Sequence, residues 1–236
     1  MFQKFVLYLS LKYYKMKKKT IISLAIIIGI LLADQVLKIW VKTNMMMGEE
    51  IHFIKDRIML HFTENRGMAF GMELGGDWGK LALSIFRILA IGGLTYYLIR
   101  LIKKNENTIY IVCISLVIAG ATGNLIDSAF YGLIFTDSYG QVATMFPPQG
   151  GYSNFLHGHV VDMFYCPIIT THYPDWFPVK GGDSLVFFRP VFNIADSAIT
   201  ISVFLMIIFY KKIFAQENGN NHTEKESIFP DSTQQN

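Results

Sequence analysis

Charge is scarce in this chain. Asp, Glu, Lys and Arg make up 17% of its 236 residues, against about 25% in an ordinary soluble domain. Cysteine is scarcer still. Cys113 lies in an apolar run and Cys166 in a loop, a placement that excludes a disulfide framework and sets no redox compartment. There is no internal repeat, which removes the inverted-repeat symmetry of many transporters. The net charge of +3 is small. The lysines gather at the ends of apolar runs, a topology signal rather than a nucleic-acid-binding surface.

What is present is apolar. Hydrophobic residues make up 52% of the chain and aromatics 14%, concentrated in runs, which predicts membrane spans rather than a soluble core. Four runs approach the roughly 20 residues needed to cross the hydrocarbon: about 20–41, 81–102, 108–130 and 191–214. The first has a lysine flank like a signal peptide. It is long for such a segment, lacks an A-x-A cleavage pattern and continues into Asp34-Gln35-Val36-Leu37-Lys38, so it reads as a retained span. Residues 1–19 carry Lys4, Lys12, Lys15, Lys17, Lys18 and Lys19 among Phe and Tyr and read as a basic segment at the cytoplasmic membrane surface; Met16 is an alternative start. Lysine and arginine at 100–104 and at Lys211-Lys212 belong on the same side. Both termini are then cytoplasmic, segments 43–80 and 131–190 lie on the outer face, and 215–236 is a disordered polar tail. Ile51 to Lys55 and Arg57 to Thr63 predict a small hairpin or sheet. The second outer segment, rich in Gly, Pro and aromatics, predicts a loop resting at the interface.

Polar residues inside the spans are costly and mark function. Asp34 and Lys38 come late in the first span, Asn124 and Asp127 late in the third, and Asn193 and Asp196 early in the fourth. Each pair is three or four residues apart and shares a helical face, and the last stripe continues through Ser197 and Thr200. All three pairs fall toward the outer leaflet. Gly120 and Gly123 thin the third span for close helix approach. The bland reading makes Asp34–Lys38 an ion pair and the asparagines interhelical glue. The functional reading adds Asp162, which sits in an apolar setting outside the spans. On a re-entrant or interfacial segment it reaches Asp196, and two close carboxyls share a proton. Such a dyad serves as general base and general acid toward a water and a departing amine.

These residues resemble a family, bacterial lipoprotein signal peptidase, or signal peptidase II. Asp34-Gln35-x-x-Lys38, Asn65-Arg66-Gly67-Met68-Ala69-Phe70, Gly120-Ala121-x-Gly123-Asn124-x-x-Asp127, Val161-Asp162-Met163-Phe164 and Phe192-Asn193-x-Ala195-Asp196 look like its five motifs, in its order, from the first span to the last. The resemblance implies a helical membrane protein of four transmembrane helices, with a small β-cradle and an interfacial helix on the outer face of the bacterial cytoplasmic membrane. It implies an aspartic endopeptidase, working as a monomer without cofactor or metal, that cleaves diacylglyceryl-modified prolipoproteins before the lipidated cysteine. Asp162 and Asp196 would be the catalytic dyad. Asn65, Gly67, Asn124 and Asn193 would line the site, and Asp34, Lys38 and Asp127 would support it. One departure stands out: Ser128 follows Asp127 where the family commonly has Arg. Arg66, Arg87 and Arg189 are the alternatives for that cation. The segment between Ser128 and His159 is longer than in compact members and reads as an insertion shaping a lid.

Two rivals remain. His157-x-His159-x-x-Asp162, with His172, has metal-ligand residue types but no H-E-x-x-H spacing and no nearby Glu base. A small transporter or scaffold would also bury Asp and Asn, yet it needs no Asp162 outside the spans.

Overall fold

The computed structural model describes residues 2–54, 57–65, 76–167, 169–172, 184–187 and 191–214. It is mostly helical. Helix α1 covers Phe2–Asn44, α2 Gly76–Lys104, α3 Thr108–Ile126, α4 only Gly132–Ile134, and α5 Ile194–Ile208. A π-helical turn, Asp127–Tyr131, joins α3 to α4. Strands β1 (Glu50–Ile54), β2 (Ile58–Asn65), β3 (Val160–Tyr165), β4 (Ile169–His172), β5 (Ser184–Phe187) and β6 (Val191–Phe192) complete the order.

Among the described residues, three helical stretches are long and apolar enough to cross a membrane, Leu9–Asn44, Trp78–Lys104 and Thr108–Ile134, and Ile194–Ile208 is a shorter apolar helix. The first begins well before residue 20. No proline interrupts Phe2–Asn44, so the basic segment continues the span as one helix. The last begins later than expected because Val191 and Phe192 are taken by the sheet and Asn193, in an extended conformation, caps the helix. Its 15 residues rise about 22 Å, short of a hydrocarbon core of about 30 Å; helical residues resume at 210–214 after Phe209.

The helix α3 is the hub, packed against α1, α2 and α5. Two glycines permit this. A methyl group at Gly120 would lie 2.3 Å from the Ala195 carbonyl oxygen, and one at Gly123 would lie 2.8 Å from Asp34 Oδ2. The outward faces stay apolar: Leu32 and Val36 on α1, Phe86 and Leu89 on α2, and Phe204 and Ile207 on α5 are exposed, as lipid-facing residues are. Trp40 and Trp78 are exposed too.

The antiparallel sheet has the order β1-β2-β3-β6, with β4 and β5 as a separate pair. Both expected strands near residue 51 form, and they pair as a hairpin. The long outer segment is less of a loop than its composition suggests, since β3, β4 and β5 come from it. Strand β3 adds to β2 across about a hundred residues of sequence, setting Thr63 opposite Asp162 and Asn65 opposite Val160. No interfacial helix is present among the described residues. Alternation along β3 sends Val161 and Met163 to one face. There they join a core with Val41 and Met45 of α1, Phe62 of β2, and Tyr131, Phe135 and Ala143. Asp162 points the other way.

Candidate active site

Four elements converge at the end of the bundle where the sheet sits. The helix α1 brings Asp34, Gln35 and Lys38, α3 brings Asn124 and, at its C-terminal cap, Asp127, β3 brings Asp162, and the start of α5 brings Asn193 and Asp196. Lys38 is the electrostatic centre. Its Nζ lies 2.9 Å from Asp34 Oδ2 and 2.6 Å from Asp127 Oδ2, and donates to Asn124 Oδ1 at 2.9 Å. All three charged side chains are at most 1% exposed. Buried charge is tolerable only when paired and fully hydrogen-bonded, and the remaining oxygens are satisfied. Asp34 Oδ1 accepts from the Ala195 backbone N–H at 2.9 Å. Asp127 accepts from Gln35 Nε2 at 2.9 Å and from the Val161 N–H at 3.3 Å. Tyr131 donates its hydroxyl to Gln35 Oε1 at 3.2 Å.

The two asparagines tie this ion cluster to Asp162 and Asp196. Asn193 Nδ2 donates to Asp162 Oδ1 at 2.7 Å, Asn124 Oδ1 at 3.1 Å and the Val161 carbonyl at 3.2 Å. Asn124 Nδ2 donates to Asp196 Oδ1 at 2.8 Å. Asn193 Oδ1 accepts the Asp196 N–H at 2.9 Å, the geometry of an N-cap. Asn193 and Asp196 therefore do not share a helical face as expected; the first caps the helix in which the second stands. The stripe also stops short, because Thr200 is exposed and the buried side of α5 runs through Ala195, Ala198 and Ser202. Burial, and then the charge of Asp196, push the Asp162 carboxyl up to about 7.

Of the three arginines, Arg87 reaches this site: its Nη1 donates to Ser128 Oγ at 3.2 Å. Its charge also acts on Asp196, Asp127 and Asp162. It faces the polar layer. Gly67, Arg66 and Arg189 lie outside the described residues. Asn65 ends β2, opposite Val160 and two residues along from the partner of Asp162.

A second polar cluster escaped the sequence reading. Lys42 is fully buried and pairs with Glu64, while Ser138 Oγ accepts from Lys42 Nζ at 2.8 Å and donates to Glu64 Oε1 at 2.7 Å. Lys42 also lies over the rings of Phe135 and Tyr152. His159 Nδ1 sits 3.0 Å from Glu64 Oε2, and an ionised carboxylate only accepts, so Nδ1 carries the proton. His159 is thus engaged by Glu64 and His157 Nδ1 by the Phe155 carbonyl, not by Asp162. The available signal was spacing: Lys42 extends the Asp34–Lys38 stripe by one more helical step.

Buried acids, asparagines and two cations at one end of a polytopic helical bundle define an integral membrane protein with an enzyme-like polar site. The chain belongs to the signal peptidase II family, whose model, described as signal peptidase (SPase) II, matches residues 26–212. The lipoprotein signal peptidase of Porphyromonas gingivalis is 48% identical over 209 residues, covering 88% of this chain and 91% of that protein. The one from Amoebophilus asiaticus is 37% identical over 178 residues, 74% of this chain and 71% of its own. A bacterial membrane enzyme solved in meso at 2.3 Å is 26% identical, with a TM-score of 0.52 over 80% of this chain and 87% of its own. A second, at 1.9 Å, is 28% identical, again with a TM-score of 0.52. The protein is accordingly a multi-pass membrane endopeptidase of the aspartic type, whose family removes signal peptides from prolipoproteins.

Proposed function

We propose that Asp162 and Asp196 form the catalytic dyad and cleave a diacylglyceryl-modified prolipoprotein before its lipidated cysteine. The observation that carries this reading is the bridge Asp162–Asn193–Asn124–Asp196. It holds two carboxyls from a strand and a helix in one partly buried network, supported from behind by Lys38, Asp34 and Asp127. The raised pKa of Asp162, about 7, supports a pair that carries one proton near neutral pH. The ionised carboxyl takes a proton from water as the water oxygen bonds to the scissile carbonyl carbon. The protonated carboxyl gives its proton to the cysteine nitrogen as the C–N bond breaks. Asn124 and Asn193 keep the acids in register, and Arg87 supplies the cation that Ser128 does not. In this reading the substrate's acyl chains stay in lipid, the site opens toward the outer leaflet of the cytoplasmic membrane, and both termini face the cytoplasm.

The test is cleavage of a diacylglyceryl-modified prolipoprotein by purified protein in detergent. Asp162→Asn and Asp196→Asn should each abolish turnover while the unfolding midpoint and substrate binding persist. Cleavage by both variants at the wild-type rate would sink the dyad.

A further inference from the structure

The end of the bundle remote from the carboxylates holds a cavity that this chemistry does not use. Lys15, Lys18, Lys19 and Ile22 stand at the spacing of one helical face on α1. That face meets the turn Asn105–Asn107 between α2 and α3, the residues Thr108 and Ile109 that begin α3, and Lys212 beyond α5, around a cavity of about 600 Å³. Binding sites for small molecules run from about 300 to 1,000 Å³.

The walls are braced from within. Lys19 Nζ donates to the Asn105 carbonyl at 3.0 Å, to Asn105 Oδ1 at 2.7 Å and to the Glu106 carbonyl. Asn107 Nδ2 donates to the Lys212 carbonyl at 3.0 Å, and Asn107 Oδ1 accepts from the Ile109 N–H at 2.8 Å. Three chain segments far apart in sequence are thereby fixed around one space. Lys19 is consumed by this bracing. The ammonium groups of Lys15, Lys18 and Lys212 have no hydrogen-bond or carboxylate partner among the described residues. Glu106 is the one carboxylate among the lining residues. The cavity is therefore cationic, and its other three ammonium groups, on the exposed Lys15, Lys18 and Lys212, are not satisfied by the protein.

Its depth identifies the class of anion. On α1 the N-terminal lysine cluster ends at Lys19 and the long apolar run begins at Ile21; after α5 the apolar run ends as Lys211 and Lys212 begin. The cavity lies across that border, where lipid headgroups lie, and Ile22 and Ile109 give it an apolar wall beside the lysines. We propose that it binds the phosphodiester of an anionic lipid headgroup, with Lys15, Lys18 and Lys212 on the phosphate and the two isoleucines against the glycerol and first methylenes. Basic pockets between transmembrane helices recognise headgroups in this way. The bound lipid would clamp the N-terminal half of α1 to the α2–α3 turn and to the end of α5. This holds for any activity at the other end of the molecule.

The experiment uses the full-length protein in phosphatidylcholine nanodiscs with and without phosphatidylglycerol, read by lipid retention in native mass spectrometry and by the unfolding midpoint. Lys15→Gln/Lys18→Gln/Lys212→Gln is compared with a control of equal charge, Lys12→Gln/Lys17→Gln/Lys103→Gln. The expected result is retention of phosphatidylglycerol and a raised midpoint in the wild type and the control. The pocket variant should bind it roughly a hundredfold more weakly. Equal binding by the two variants, or equal retention of phosphatidylcholine, would overturn the proposal. A parallel titration with inorganic phosphate separates the sources: a lysine-dependent rise in midpoint matching that from the lipid would make this a site for soluble phosphate and overturn the lipid.

Discussion

At the scale of the residue, the proposed dyad ties activity to one shared proton. Asp162 is held up to about 7 by burial and by the charge of Asp196. Its folded pKa lies above that of a free aspartate, so the proton is retained through the acid range and lost as pH rises through about 7. Cleavage by a dyad that needs one proton should decline above that point, with an apparent pKa that belongs to the pair. A rate that stays flat from about pH 6 to about pH 9 would contradict this. The cation is equally local. Arg87 reaches Ser128 from another helix. Arg87→Ala should lower kcat on the order of a hundredfold, the scale of losing one charged donor at a reacting centre. Arg87→Lys should recover only part, because a point charge does not replace the planar fork. Adding Ser128→Arg to Arg87→Ala should restore more activity than the lysine does. Steady-state kinetics on the four proteins decide the matter.

At the scale of elements, the segment from Phe135 to His159 is a strap rather than a free loop. It hydrogen-bonds back to the helix end it leaves. The Gly158 N–H donates to the Ser128 carbonyl at 2.8 Å and the Ser153 N–H to the Gly132 carbonyl at 2.9 Å. The first of these carbonyls belongs to the π-helical turn and the second to α4. A methyl group at Gly158 would lie 2.2 Å from the Asp127 carbonyl oxygen, so only glycine passes there. The other anchor is Glu64. Burial alone would raise its pKa, but the His159 imidazole, the Lys42 ammonium and the Ser138 hydroxyl outweigh burial and bring it down to about 2. The folded pKa lies below the unfolded value of 4.5. The stabilisation is therefore complete above that value and is lost as pH falls toward about 2. Thermal unfolding should show the wild type losing on the order of 3 kcal/mol across that window. Glu64→Gln should be less stable at neutral pH and lack that part of the slope. An identical acid slope in both proteins would exclude Glu64 as the anchor.

Across the whole molecule, the two ends differ in kind. One carries the sheet, the strap and the acid–asparagine network; the other carries Lys19, the α2–α3 turn and Lys212, joined by hydrogen bonds. The asymmetry of lysine and arginine predicts that the second end faces the cytoplasm. Single cysteines placed at exposed Tyr139 and at Asn105, in a background lacking Cys113 and Cys166, test this in intact cells. A membrane-impermeant maleimide should label Tyr139→Cys from outside and reach Asn105→Cys only after lysis. The reverse pattern would invert the topology and move the site to the cytoplasmic side.

By itself the sequence determined the membrane class, the three longer apolar helices, the β1–β2 hairpin and the polar residues of the cluster. Each depends on local composition and on spacing along one element: an apolar run has to enter lipid, and residues three or four apart within one helix, as Asp34 and Lys38 are, share a face. The five motifs also marked the acids before any contact between them was known. Only the tertiary structure decided which groups meet. The pairing of β3 with β2 across about a hundred residues placed Asp162 beside Asn193. The capture of Val191 and Phe192 by the sheet shortened the last helix and made Asn193 its cap. The path of α2 carried Arg87 to Ser128, and the strap brought Ser138 and His159 to Glu64. Such contacts are settled by which surfaces bury best and by which buried polar groups must be satisfied together. Both conditions involve residues far apart in sequence, so no local pattern contains them.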